Sequence, residues 1–192
     1  MNPYKVVEDF ESALSEYTGA PYVVTTNSCS SALLLAMSVF GPQQLTFPCR
    51  TYASAPMAAI HVGHGVAFRD CSWIGQYQIS PLPVWDSARR FTSGMYIKGQ
   101  IQCVSFQTSK ILGLEQGGAI LHDDPVTDEW LRRARFDGRL NASEKLPKQI
   151  GFHCYMNPST AALGLQRLSC LPRDNPDQVV EFDDLSKLDI WK

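Results

Sequence analysis

Several short stretches of this sequence hold side chains that can do chemistry together, and each follows a strand-like run. Ser28-Cys29-Ser30 follows 22–26, Thr51-Tyr52 follows 44–47, Asp86 closes 83–85, and Ser105 and Lys110 end and follow 101–106. Serines that open a helix bring free N–H groups and the helix dipole to an anion such as phosphate. Asp86 offers a carboxylate, Lys110 an amine and Tyr52 an aromatic face. A lysine for an imine, a carboxylate to keep a pyridine nitrogen protonated and an anion site are what pyridoxal phosphate requires. Other cofactors also use anion sites, so residue types alone leave the choice open.

Each residue also has a plainer reading. Asp86 is a natural cap for a helix from Ala88 onward, Ser28 and Ser30 are ordinary N-cap types, Tyr52 is a candidate core aromatic, and a lone lysine after a strand is usually a solvated side chain. Cys29 as a nucleophile has no histidine at a suggestive place, and no triad order can be built around it.

These residues need a scaffold. Val7, Phe10, Leu14 and Tyr17 recur at helical spacing and Gly19 stands where a helix stop belongs, which predicts an amphipathic first helix. A short β-branched run at 22–26 leads into 30–40, apolar nearly all round and ended by Gly41-Pro42. Strands are predicted at 44–47, 65–68, 83–85, 101–106 and 118–121, with a helical segment at 52–61. Strands alternating with helices predict an α/β fold whose mostly parallel sheet is covered on both faces, a three-layer sandwich. In such sheets ligands bind beyond the carboxyl ends of the strands, where the candidate residues fall. Residues 128–136 read as a charged surface helix, and Asn157-Pro158 as a cap with proline in the first turn of a last helix. Beyond Pro172 the chain is acidic and punctuated by prolines, so 172–192 reads as a loosely held tail behind a domain spanning 1–171.

Composition narrows the classes. The 192 residues suffice for one full-sized domain, and 17 Lys+Arg against 19 Asp+Glu give a net charge of -2, which argues against nucleic acid as the main ligand. No run of about 18 apolar residues occurs and the first residues are acidic, so the expectation is a cytoplasmic protein with no membrane contact. The six cysteines lie too far apart for a C-x-x-C pair and His61-x-x-His64 has no ligand partner nearby, so reduced thiols and no metal are expected. The stretch 21–122 carries nine charged residues, among them Asp86, Arg89 and Lys110; charge in so apolar a setting calls for a partner or a ligand.

The runs Asn27-Ser-Cys-Ser-Ser-Ala-Leu33, Phe47-Pro-Cys-Arg-Thr-Tyr-Ala-Ser54, Asp86-Ser-Ala88 and Ser105-Phe-Gln-Thr-Ser-Lys110, with Glu115-Gln-Gly-Gly-Ala119, together resemble the DegT/DnrJ/StrS family of sugar aminotransferases. The order and spacing agree from about Phe10 to Leu168. The resemblance implies the type I fold of PLP enzymes, with pyridoxal 5'-phosphate as cofactor. By position, Lys110 becomes the Schiff-base lysine that moves the proton in transamination, and Asp86 the partner of the pyridinium nitrogen. Ser28, Cys29 and Ser30 take the place of a Ser-Gly-Thr phosphate site assisted by Ser105, and Tyr52 stacks on the ring. Gly151-Phe-His-Cys-Tyr-Met156 resembles the segment that reaches a neighbouring subunit, so the resemblance implies a homodimer with His153 donated across it.

The departures are informative too. Cys29 replaces a glycine, Arg89 stands where a glutamine usually contacts the ring hydroxyl, and Tyr155 takes the place of an arginine. Sixteen positions separate Asp70 from Asp86, too few for the family's extra helix and strand, and the small domain expected after Leu168 has no counterpart here. The resemblance therefore implies a reduced fold and an aminotransferase acting on a keto-sugar nucleotide or a related small carbonyl or amine substrate. The alternatives left open are another PLP reaction, such as decarboxylation or elimination, or a non-catalytic PLP-binding relative.

Overall fold

The computed structural model describes residues 3–191. Helix α1 (Lys5–Thr18) buries Phe10 and Leu14 on its apolar stripe and ends on Gly19, whose positive φ lets its N–H donate to Ser15 O over 2.8 Å. Strand β1 (Tyr22–Thr26) leads into α2 (Cys29–Ser38), β2 (Gln44–Pro48) into α3 (Ser54–His61), and β3 (Gly65–Arg69) follows. Then come β4 (Tyr77–Ile79), β5 (Val84–Asp86), β6 (Ile101–Ser105) and β7 (Gly118–His122). Helices α4 (Pro125–Arg135) and α5 (Pro158–Ser169) close the domain, and two short 3-10 turns, Leu185–Lys187 and Asp189–Trp191, lie in the tail.

The strands form the middle layer of three. Alternate residues point to opposite faces: Val24, Cys103 and Ile120 join Leu35, Met37 and Ala59 of α2 and α3 in one core. Val23, Val104, Ala119 and Leu121 join Phe10, Leu14, Ala161 and Leu168 of α1 and α5 in the other. Helix α2 is apolar all round because it lies between the sheet, α3 and α4. Gly164 lets α1 and α5 close together, since a Cβ there would sit 2.5 Å from the Phe10 ring. The cap at α5 is as expected, with Asn157 Oδ1 accepting from the Ser159 N–H over 2.9 Å and Pro158 in the first turn.

The α/β class and the layers agree with the sequence reading, but the mostly parallel sheet does not. The five-stranded sheet runs β1-β7-β6-β5-β4, and only β5 with β6 is parallel in it; β2 and β3 form a separate parallel pair. Connection length is the reason for two of the antiparallel pairs, β4 with β5 and β6 with β7. A parallel return needs about a dozen or more residues, usually with a helix, whereas antiparallel neighbours need only a turn. No helix lies between β6 and β7, and β4 turns into β5 through Ser80-Pro81-Leu82-Pro83, which leaves room for a hairpin alone.

The same hairpin corrects the expected loss of a central strand-helix unit. The helix is absent between Asp70 and Asp86, but a strand is present: β4 lies against β5 and touches β2 through the Thr46–Ser80 bridge, running antiparallel.

Nor is the tail loosely held. Ser93 N–H donates to Arg173 O over 2.9 Å, the Tyr17 hydroxyl to Pro172 O over 2.6 Å, and Leu185 N–H to Cys49 O over 2.8 Å. Phe182 stacks on Trp73 with ring centroids 6.0 Å apart, and Trp191 meets Phe68 edge-on. Two of its acidic residues take specific partners: Asp177 forks onto Arg90, and Asp184 accepts from the Ser186 N–H over 3.1 Å.

One polar cluster inside the domain escaped the sequence reading. Glu11 is buried and accepts from the Thr25 N–H (2.9 Å) and hydroxyl (2.8 Å), from Arg132 Nη1 (2.6 Å) and from Arg135. It ties α1 to β1 and α4. Burial pushes its carboxyl up, and the charges of Arg135 and Arg132 more than reverse this, leaving it below the usual carboxylate range.

Candidate active site

A cavity of about 430 Å³ opens at the carboxyl ends of β1, β5 and β6 and collects residues from every stretch singled out in the sequence except 151–156. Ser28, Cys29, Ser30, Tyr52, Asp86, Arg89, Ser105 and Lys110 all line it. His153 does not. Its side chain is 71% exposed and pairs with Asp137, Nδ1 to Oδ2 3.0 Å, on a separate surface.

The anion end is the start of α2. Ser28 is the N-cap, its Oγ accepting from the Ser31 N–H over 3.1 Å, so the plain capping reading is correct for it. The first-turn N–H groups of Cys29 and Ser30 have no intrahelical acceptor and stay available to an anion. Ser30 Oγ lies 2.6 Å from Ser54 Oγ, which adds a second hydroxyl from α3. Cys29 does not fill the space a glycine would leave, because its Sγ turns towards Cys103 O, 3.7 Å away. Burial, then Asp86 and Cys103, push the Cys29 thiol well above its ordinary range, so it stays a thiol and not a nucleophile.

One glycine lets the helix start sit this deep. A Cβ on Gly118 would meet Cys29 N at 2.6 Å and Ser28 C at 2.7 Å, both backbone atoms, and Ser28 bridges to Gly117. Gly118 is thus a steric requirement for docking α2 against β7, whereas a Cβ on Gly117 would meet Met156 and Phe106 instead.

Asp86 closes β5 at the cavity floor. Its Oδ1 accepts from the Ala88 N–H over 3.0 Å, capping a turn and not the expected helix, and its Oδ2 accepts from the Tyr77 hydroxyl over 3.0 Å. Tyr77 OH accepts in turn from Thr51 Oγ1 at 2.8 Å. Burial raises the Asp86 carboxyl above its ordinary range against the lowering pull of these hydrogen bonds and of Lys110 and Arg89. It lacks a full ion-pair partner and would be stabilised as an anion by a cation placed against it. Lys110 follows β6 in a tight turn, its N–H donating to Gln107 O over 2.8 Å. Burial, then the neighbouring Arg89, lower the Lys110 pKa, which favours the neutral amine that attacks carbonyl carbons.

Tyr52 is 64% exposed, so the core-aromatic reading fails and its ring is free to cover a ligand. Phe182 stands near it at the rim, 6.4 Å between centroids. Arg89 lines the cavity with Nη1 donating to Gln178 Oε1 over 3.3 Å and a buried Nε that has no partner. Sequence reasoning missed Ser54, Tyr77, Gln107, Ser109, Gln116 and Phe182. Ser54 lay inside a quoted run and opens a helix beside the cavity, a signal available in hindsight; Tyr77 and Phe182 lie in stretches without periodicity.

A buried carboxylate, an amine of lowered pKa and a helix N-terminus thus meet in one cavity, on a fold shared with solved aminotransferase structures. Residues 1–94 and 94–178 match the DegT/DnrJ/EryC1/StrS aminotransferase family, and the chain belongs to it. Among curated proteins it is similar to a UDP-4-amino-4,6-dideoxy-N-acetyl-beta-L-altrosamine transaminase from Campylobacter jejuni, 25% identical over 233 aligned positions that cover 94% of this chain and 61% of the relative. Among solved structures, a DegT DnrJ EryC1 StrS aminotransferase from Brucella abortus superposes with TM-score 0.73 at 19% identity, over 85% of this chain and 58% of the other. PseC from Helicobacter pylori, an aminotransferase of pseudoaminic acid biosynthesis, gives 0.68 at 19% identity, over 88% and 62%. NtdA from Bacillus subtilis, solved with bound PMP, gives 0.69 at 18% identity, over 86% and 48%. The chain thus spans less than two thirds of the relatives' length.

Proposed function

We propose that this chain carries the cofactor-binding core of a pyridoxal 5'-phosphate-dependent aminotransferase acting on a keto-sugar nucleotide or a related small carbonyl compound. The carrying observation is that the Lys110 amine, the Asp86 carboxylate and the α2 N-terminus share one cavity. The site fits the group: the buried Asp86 lacks a full cationic partner, and the helix start has unengaged N–H groups.

When bound, pyridoxal phosphate supplies an electron sink that acidifies a carbon–hydrogen bond beside an amine nitrogen. Asp86 would face the ring nitrogen with its carboxylate, its orientation fixed by Tyr77 and the Ala88 N–H. Ser28, Ser30 and Ser105, with the backbone at Cys29, would hold the phosphate, Tyr52 would cover the ring, and Arg89 would lie toward the ring hydroxyl. Lys110 would hold the group through Nζ and take up and return a proton there, for which a lowered amine pKa suits it.

The same reading makes the protein a cytoplasmic homodimer, with His153 reaching the partner subunit's phosphate. In support, His153 lies exposed and away from its own cavity, and among the described residues no helix is long and apolar enough to cross a membrane.

The test is direct. Purified protein mixed with PLP is expected to gain a visible absorbance band, and borohydride to fix the cofactor on the Lys110 peptide; attachment to another lysine, or none, overturns the reading. A panel of amino donors then reports transamination by conversion of that band, while loss of carbon dioxide or of a leaving group would mark a different PLP reaction.

A further inference from the structure

We propose that Gln178 is a positioning residue of this site, its side-chain amide fixing the Arg89 guanidinium at the cavity wall and linking it to the loop that carries Lys110. Arg89 Nη1 donates to Gln178 Oε1 over 3.3 Å, while Gln178 Nε2 donates to Ser109 O over 3.1 Å, one residue before Lys110. One amide thus uses its acceptor on the guanidinium and its donor on the lysine loop.

The backbone around it forms a small ladder. Arg89 N–H donates to Gly75 O over 3.1 Å and Gln178 N–H to Arg89 O over 2.9 Å, so Gly75, Arg89 and Gln178 lie side by side. The neighbouring Asp177 forks onto Arg90, Nε to Oδ1 2.9 Å and Nη2 to Oδ2 2.6 Å. Position 75 accommodates this seat: a Cβ there would meet the Asp177 carboxylate at 2.2 Å. Three separate features therefore place Gln178, and none of them uses its side chain. Removing the amide leaves the tail where it is.

What the amide controls is the direction of a charge. The charged or titratable groups acting on Lys110 are Arg89, Cys29 and Asp86. Cys29 and Asp86 are set by the sheet and by α2, whereas the Arg89 guanidinium stands on a flexible side chain whose Nε finds no partner. Held inward, it disfavours a second positive charge on Lys110 and keeps the amine reactive. Released, it is free to swing to solvent and the amine becomes more basic. This inference rests on the proposed function for the use of that amine, but its geometry does not depend on it.

The experiment reads Lys110 without the cofactor. Full-length protein is methylated with formaldehyde and cyanoborohydride from neutral to mildly alkaline pH, and peptide mass spectrometry compares Lys110 with the exposed Lys98. Gln178→Ala is expected to lower relative labelling of Lys110 about threefold at pH values below its midpoint, the fall given by a midpoint about half a pH unit higher. Gln178→Glu, which places a carboxylate against Arg89 and keeps the tail seated, is expected to lower it at least as far. In an Arg89→Met background, Gln178→Ala is expected to change nothing further, since the amide acts through the guanidinium. Unchanged labelling in Gln178→Ala, or the same fall without Arg89, overturns the inference. Failure of borohydride to attach PLP to Lys110 would sink the proposed function and leave this measurement standing.

Discussion

The Tyr77 hydroxyl donates to Asp86 Oδ2 over 3.0 Å and is itself held by Thr51, so the carboxylate at the cavity floor is oriented by a two-step relay from β4 and the loop after β2. Asp86 is buried without a full counter-ion, an arrangement that costs stability until a cation arrives. Asp86→Asn keeps the shape and removes the charge. We expect the cofactor-free variant to melt at or above the wild-type temperature, and the half-reaction with any active amine to slow by orders of magnitude. Melting curves and single-turnover spectra check the two halves.

Gly118→Ala tests the phosphate end. The added methyl meets the backbone of Ser28 and Cys29, which no side-chain rotation relieves, so α2 must move off the sheet. Overpacking of this kind costs about 1–3 kcal/mol. PLP affinity is expected to fall about tenfold or more, because the N–H groups move with the helix. A spectroscopic titration beside a melting curve separates lost binding from lost folding.

The Glu11 cluster sets an acid limit on stability. Its carboxyl lies lower in the folded chain than in the unfolded one, so its contribution is complete above the unfolded value of about 4.3 and disappears as pH falls through the folded value. Glu11→Ala leaves Arg135 without a carboxylate partner, while Arg132 keeps Asp128, and is expected to cost about 3–5 kcal/mol at neutral pH. Urea melts at neutral and acid pH are expected to show the variant's deficit shrinking as the wild type loses its clamp.

Thiol labelling reports the depth of the α2 start. Cys170 is exposed, whereas the Cys29 thiol is pushed well up by burial and by Asp86. With iodoacetamide at mildly alkaline pH, Cys170 is expected to react first and Cys29 at least about tenfold more slowly. Early loss of Cys29 would mean the helix start is open to water.

Most of the cavity was legible because its residues sit where a strand stops and polar chemistry begins. Ser28, Asp86, Ser105 and Lys110 each end or follow an apolar run, and such positions in α/β folds share one rim. Tyr77 was hidden because the five residues between Gly75 and Pro81 are too few to show a period, and strand direction there depends on how few residues are left for a crossover. Gln178 and Phe182 were hidden for another reason. An acidic, proline-rich segment reads as solvated unless its partners are known, and Arg89, Arg90 and Trp73 lie far back in the sequence. Glu11 looked like one more helix charge beside Phe10, because its two arginines come more than a hundred residues later.

The place of β7 has a consequence for synthesis. Among the described residues strand β1 pairs with β7 alone, and 92 positions separate Thr26 from Gly118. As the chain leaves the ribosome, the segment proposed to hold the phosphate has no strand to join until the residues around Lys110 have already emerged. Anion cradle and lysine therefore acquire their shared geometry in the same late event, and a nascent chain arrested before residue 118 would present neither half of a working pocket.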